Sequence, residues 1–141
     1  MTTARFLIDT SAIVRMFRYP AVRERWQPQV LAGVIGLCPL TELELLYNAR
    51  SKADREEQLD LLAVAFTWVA VPDRVFHRAA EVQQLLTHNG THRSAGPVDL
   101  LLAATAELQS LTLVHYDHDF DTVATVTGQP TAWLAPPGSI A

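Results

Sequence analysis

The sequence has a single cysteine, Cys38, so neither a disulfide framework nor a thiolate metal site can be built within one chain, and a reducing cytoplasm is the expected compartment. No apolar run approaches the roughly 18 residues of a membrane-spanning helix, so no span is expected. The opening stretch MTTARFLID has neither the long apolar core of a signal peptide nor the Arg-rich amphipathic pattern of a transit peptide, which argues against secretion. Basic residues are in deficit, with 11 Lys and Arg against 15 Asp and Glu and a net charge of −4. Broad non-specific attraction to nucleic acid is disfavoured on that count. If the acids gather into one pocket, however, Arg5, Arg15, Arg18, Arg23 and Arg25 remain as a basic surface beside it. G-x-G-x-x-G, P-loop and G-x-S-x-G patterns are also missing, which leaves dinucleotide, nucleoside-triphosphate and serine-hydrolase readings without a handle.

What is present is a chain of 141 residues, 49% hydrophobic and only 18% charged, long enough for one core and apolar enough to suggest a dimer face. A single domain over 1–141 is expected, with 135–141 (APPGSIA) as a loose tail. RFLI (5–8) reads as a buried strand, followed by a helix from about Ser11. Pro20 and Pro28 divide the next stretch into two short helical pieces before a second strand at 33–38. Residues 39–50 read as a helix with Thr41 as N-cap and Glu44 as its capping-box partner. Helices over 54–66, 73–90, 97–108 and 120–126 alternate with strands at 67–71, 111–116 and 131–134. Such alternation predicts an α/β fold, a three-layer α/β/α domain around a mostly parallel central sheet. Ligands in such sheets bind beyond the carboxyl ends of the strands.

Acids stand at those ends: Asp9, Glu42, Asp99, Asp117 and Asp119. Asp9 follows FLI directly, where an N-cap or turn role is the common use of aspartate, but Ser11 could cap the helix instead and free it. Glu42 shares a helical stripe with Leu45, Leu46 and Ala49, whereas Glu44 shares one with Tyr47, Asn48 and Ser51, so Glu42 is read as inward and Glu44 as outward. A buried carboxylate needs a cation, and a buried salt bridge competes with a metal for that role. Asp99 lies near N3 of the most apolar helix, where the helix dipole favours an acid, although a solvent-facing position would serve the dipole equally well. Among Asp117, Asp119 and Asp121, the first is nearest the strand end, the second is a possible helper and the third belongs to the helix surface. His115 and His118 bracket Asp117, but no H-E-x-x-H or Cys/His pattern supports zinc. Several carboxylates converging without a cation would repel one another, and all-oxygen ligands suit Mg²⁺ or Mn²⁺. The chemistry then implied is hydrolysis at phosphorus.

FLIDTSAIV, PLTELELLY, PVDLLLAATA and TLVHYDHDF, in this order on a chain of this length, closely resemble the PIN-domain ribonucleases, specifically VapC-type toxins of bacterial toxin–antitoxin pairs. The resemblance implies a PIN-like fold and Mg²⁺- or Mn²⁺-dependent endonucleolytic cleavage of RNA, commonly tRNA or rRNA. It carries the acidic residues over as Asp9, Glu42, Asp99 and Asp117, with Asp119 less regular and Ser11 orienting the first aspartate. It also implies a homodimer and a VapB-like antitoxin. Two other readings stand beside it. One is a phosphatase with Asp9 as nucleophile, for which a haloacid-dehalogenase pattern would place a second acid where this chain has Ser11. The other is a catalytically silent module that binds RNA or a partner protein.

Overall fold

The computed structural model describes residues 3–141, and Met1 and Thr2 of the expected domain lie outside the described residues. The chain runs β1 (Phe6–Ile8), α1 (Thr10–Arg18), α2 (Pro20–Leu31), β2 (Ile35–Leu37), α3 (Pro39–Leu46), α4 (Lys52–Ala65), β3 (Thr67–Trp68), α5 (Val75–His88), α6 (Pro97–Leu108), β4 (Thr112–His115), α7 (His118–Thr127) and β5 (Thr131–Trp133). The strands form one sheet in the order β3-β2-β1-β4-β5, and the four pairings between them are all parallel. Phe6 pairs with both Ile35 and Thr112, and Ile8 with Val114, so β1 is the central strand.

Alternation along the strands builds the two outer layers. Leu7 and Leu113 point into a core shared with α5, α6 and α7, through residues such as Val82, Leu86, Leu102 and Phe120. Their neighbours Ile8 and Val114 point into a second core with α1, α2 and α4, through Ile13, Met16, Val22 and Leu62. Both faces of the sheet are covered, which is why its strands read as continuous apolar runs. The expected three-layer α/β/α architecture is therefore observed. No helix among the described residues is long and apolar enough to cross a membrane.

Three local expectations are corrected. Pro28 does not end a helix: α2 continues through it to Leu31, on a stretch where Glu24, Gln27 and Pro28 are exposed and the carbonyl Pro28 leaves unpaired can meet water. Thr41 is not a cap, because Pro39 takes the first helical position of α3 and Cys38 the N-cap, leaving the buried Thr41 hydroxyl without a partner. The 135–141 tail is not loose. Leu134 and Ala135 are buried, Ile140 packs on the second core, and the Tyr116 hydroxyl accepts the Ile140 N–H at 3.1 Å.

The chain order fixes where the sheet opens. From β1 the chain moves out through β2 to β3, then returns to β4 on the other side of β1, so the reversal lies between β1 and β4. Helices starting from these two neighbouring strands leave towards opposite faces, and a crevice opens between them at the strands' carboxyl ends. Asp9 and Asp117 lie at those ends.

Candidate active site

Asp9 is the first residue after β1 and, being both N-cap and cluster member, does two jobs. Its Oδ1 accepts the Ala12 N–H at 3.0 Å, which caps α1, and the Ser11 hydroxyl lies 2.8 Å from each carboxylate oxygen. The expectation that Ser11 would cap the helix and free Asp9 is therefore reversed: the aspartate caps, and the serine holds the aspartate. Ser11 Oγ also accepts the Tyr116 N–H at 3.0 Å, which ties the end of β4 to the end of β1. The Asp9 side chain is 5% exposed. Burial outweighs the hydrogen bonds from Ser11 and Ala12, and with the charge of Asp99 nearby the carboxyl is pushed up to about 7.

Asp99 enters from α6. Pro97 occupies the first helical position after Gly96, so Asp99 falls in the first turn, where its carboxylate accepts the Gly96 N–H. Partial burial, then the charges of Glu44, Asp117 and Asp119, push it up to about 6. Asp117 is the N-cap of α7 and accepts the Asp119 N–H at 2.9 Å. Asp119 is itself raised, first by desolvation and then by Asp117. The structure thus brings Asp9, Asp99, Asp117 and Asp119 into one electrostatic cluster, with Asp99 in contact with the field of every other member.

Glu42, expected with these acids, is placed apart from them. It sits half-buried in a groove with Leu37, Leu59, Asp60, Phe66 and Trp68, on the α4 and β3 side of the sheet. The acid of α3 that reaches the site is Glu44: its Oε1 accepts the Thr10 hydroxyl, next to Asp9, and its charge is the largest electrostatic contribution on Asp99. The stripe argument correctly found which side of α3 faces the core. A crevice at the strand ends is open to solvent, however, so the acid serving it lies on the exposed face. Thr10 and Glu44 are the two site residues the sequence reading missed. Position gave no signal for Glu44, since the acid in the first turn of α3 is Glu42 and Glu44 lies one turn further on.

The histidines have other uses. His115, fully buried at the end of β4, accepts the Asp117 N–H through Nδ1 at 3.2 Å, and burial lowers its pKa. His118 is exposed, with its ring against Trp133 and Nδ1 3.6 Å from Asp121. Of the five arginines expected to form a basic surface, Arg15 is beside the site, donating to the Ser11 carbonyl at 2.9 Å and lying over the Tyr116 ring. Arg5 precedes β1 and so stands at the opposite end of the sheet, which excludes it from that surface.

The donor set is all oxygen, and two of its carboxyls already hold protons too tightly for ordinary aspartates. Those are the properties of groups that a hard divalent cation would satisfy. Among the described residues no three His, Cys, Asp or Glu side chains stand close enough to enclose an ion by themselves.

A PIN domain model matches residues 6–126, and the chain belongs to that family. Within it the chain sides with the VapC ribonucleases. It is 40% identical to ribonuclease VapC21 of Mycobacterium tuberculosis (strain ATCC 25618 / H37Rv) over 137 residues, 97% of this chain and 99% of that one. It is 41% identical to ribonuclease VapC18 of the same strain over 140 residues, 96% and 98% of the two chains. The fold is shared with the DNA-bound VapBC from Salmonella typhimurium, at a TM-score of 0.75 and 18% identity over 94% of this chain and 99% of that one. VapBC2 from Rickettsia felis, bound to a DNA fragment from its promoter, gives 0.75 and 16% over 91% and 97%.

Proposed function

We propose that this chain is an Mg²⁺- or Mn²⁺-dependent endoribonuclease and the toxin of a type II toxin–antitoxin pair. The observation that carries the reading is the meeting of Asp9, Glu44, Asp99 and Asp117 at the reversal point of the sheet, with the Asp9 and Asp99 carboxyls raised by burial and mutual repulsion. The curated relatives at about two-fifths identity are ribonucleases, which supports RNA as the substrate.

Asp9, Asp99 and Asp117 are the groups that would hold the ion, with Glu44 and Asp119 at its margin. A bound Mg²⁺ or Mn²⁺ supplies polarisation of a phosphoryl oxygen and a lowered pKa for an attacking water. Such ions are held by one or two carboxylates, with waters and substrate phosphate completing the shell, which suits a cluster that does not enclose a site on its own. Ser11 keeps the Asp9 carboxylate fixed in orientation. Arg15 is the cation placed to offset the acids as a phosphate approaches. A phosphoryl-accepting role for Asp9 is disfavoured, since both its oxygens already accept hydrogen bonds in a buried position.

The partner proposed is a VapB-like antitoxin, because chains of this fold occur in VapBC complexes. An apolar groove lined by Ile13, Val14, Phe17, Leu45, Leu61 and Leu62 offers it a seat. A homodimer is supported by the exposed Leu43, Tyr47 and Val98, which form one patch with Leu40. The RNA classes proposed as substrate are tRNA and rRNA.

The chemistry is tested by incubating the purified chain with labelled total RNA. Internal cleavage is expected with Mg²⁺ or Mn²⁺, loss of cleavage with EDTA, and recovery on adding Mn²⁺ in excess. Undiminished cutting in EDTA would contradict the reading.

A further inference from the structure

We infer that His115 is a positioning residue for Asp117: its imidazole takes up the Asp117 backbone N–H and so fixes the turn that delivers the Asp117 carboxylate to the acidic cluster. The inference rests on Asp117 belonging to the metal-binding set.

Past the last ladder residue of β4, backbone N–H groups have no strand partner and ordinarily turn to water. Here two in succession are taken by side chains. Tyr116 N–H goes to Ser11 Oγ at 3.0 Å, and Asp117 N–H goes to His115 Nδ1 at 3.2 Å. The first bond ties the turn to Asp9 through Ser11, and the second ties it to the strand it leaves. With both N–H groups held, the Asp117 backbone is set at φ −153° and ψ 124°, the extended geometry that lets the residue cap α7 while its carboxylate stays with Asp99.

The imidazole can impose this because it cannot turn. Its side chain is fully buried, its centroid lies 5.3 Å from that of Phe120 and 4.9 Å from that of Trp133, and its own carbonyl accepts the Leu134 N–H at 2.8 Å. As an acceptor Nδ1 carries no proton, so the ring's proton is assigned to Nε2, which faces Asp121 Oδ1 at 3.8 Å. Nε2 has no hydrogen-bond partner. Packing alone does not account for such a group, since Leu or Phe would fill the space without leaving a buried polar atom unpaired. The one bond the ring does make points at the residue the site needs. A direct metal-ligand role is excluded by the same geometry, with Nδ1 occupied and Nε2 enclosed.

The test compares purified full-length His115→Asn, His115→Gln and His115→Leu with wild type and with Asp117→Asn. Mn²⁺ affinity is read by calorimetry, cleavage by kcat and KM, and folding by thermal melting. Asn places its amide oxygen where Nδ1 stood, whereas Gln mimics Nε2 and Leu fills space only. Expected are a His115→Asn chain within about threefold of wild type in both affinity and kcat, and losses of about tenfold or more in His115→Gln and His115→Leu with KM little changed. His115→Leu should melt no lower than His115→Asn. Equal losses in all three variants, or rescue by Gln as good as by Asn, would overturn the inference. Should His115→Leu not fold, the Asn and Gln pair decides by the same criterion. Asp117→Asn separates the two levels: if it leaves Mn²⁺ binding and cleavage intact, the metal-site reading fails, whereas its loss beside an indifferent His115 series sinks the positioning role alone.

Discussion

At the scale of single residues, the site is an economy of acids that each satisfy an ordinary structural need as well. Asp9 and Asp117 are N-caps, and Asp99 sits in the first turn of α6. That is why no one of them identified itself: each taken alone is an ordinary use of aspartate at a helix start. What sets them apart is that three helices begin at the same place. The sequence singled out Asp9, Asp99, Asp117, Asp119 and Ser11, which the structure brings together, and singled out Glu42 rather than the nearer Glu44 because an apolar stripe marks the core side of a helix and carries no information about an open crevice. The pair makes a direct test. Glu44→Gln is expected to reduce cleavage about tenfold or more, as for groups bordering a metal shell, whereas Glu42→Gln stays at the wild-type rate. Both residues being at least partly exposed, the melting temperature should change little for either. Steady-state cleavage of one RNA by the two variants checks this, and the reverse order would restore Glu42 to the site.

At the scale of elements, most of the fold was legible because the strands are apolar runs bounded by turn signals and the helices carry a 3.6-residue period. α6 was read at its observed bounds, since Pro97 marks its start and nearly every face of it is buried. Elements whose limits depend on tertiary context were not. The strand expected over 67–71 pairs only at Thr67–Trp68, and the tail after β5 is held by Tyr116 and Tyr19, partners more than 20 residues distant that no local pattern announces. β2 carries a further constraint at Gly36. A Cβ there would come within 2.4 Å of the Val69 side chain and 3.0 Å of the Phe6 carbonyl oxygen. Val69 is β-branched and the carbonyl is backbone, so neither yields easily. Gly36→Val should therefore destabilise the chain by about 1–3 kcal/mol through overpacking. Chemical denaturation measures it, and an unchanged midpoint would mean that β2 lies farther from its neighbours than described.

At the scale of the whole molecule, the acidic cluster makes stability depend on protons and cations together. Asp9 and Asp99 are held near 7 and 6, above the ordinary carboxylate value of 3.8, so the folded chain binds more protons than the unfolded chain between about pH 4 and pH 7. Their contribution to stability is fully present below that window and is lost as the pH rises through it. A divalent cation that takes the place of those protons offsets the loss. Melting of the metal-free chain should fall across this window to the extent these two groups govern it. Mn²⁺ should raise the melting temperature more at about pH 8 than at about pH 5, and its binding near pH 6 should release protons. Calorimetry in two buffers of different ionisation enthalpy reads that release directly, and equal heats in both would count against the site.

The central claim is that a divalent ion held by this cluster cuts RNA, and Asp99 is its most direct probe, because it feels Glu44, Asp117, Asp119 and Asp9 together. Asp99→Asn keeps the size of the side chain and an oxygen able to accept the Gly96 N–H, while removing the charge. Measured in Mn²⁺ on one labelled RNA, with circular dichroism to verify the fold, it should cleave at least about a hundredfold more slowly than wild type, beyond the loss usual for groups that merely orient ligands. A folded Asp99→Asn chain cutting at the wild-type rate would contradict the account.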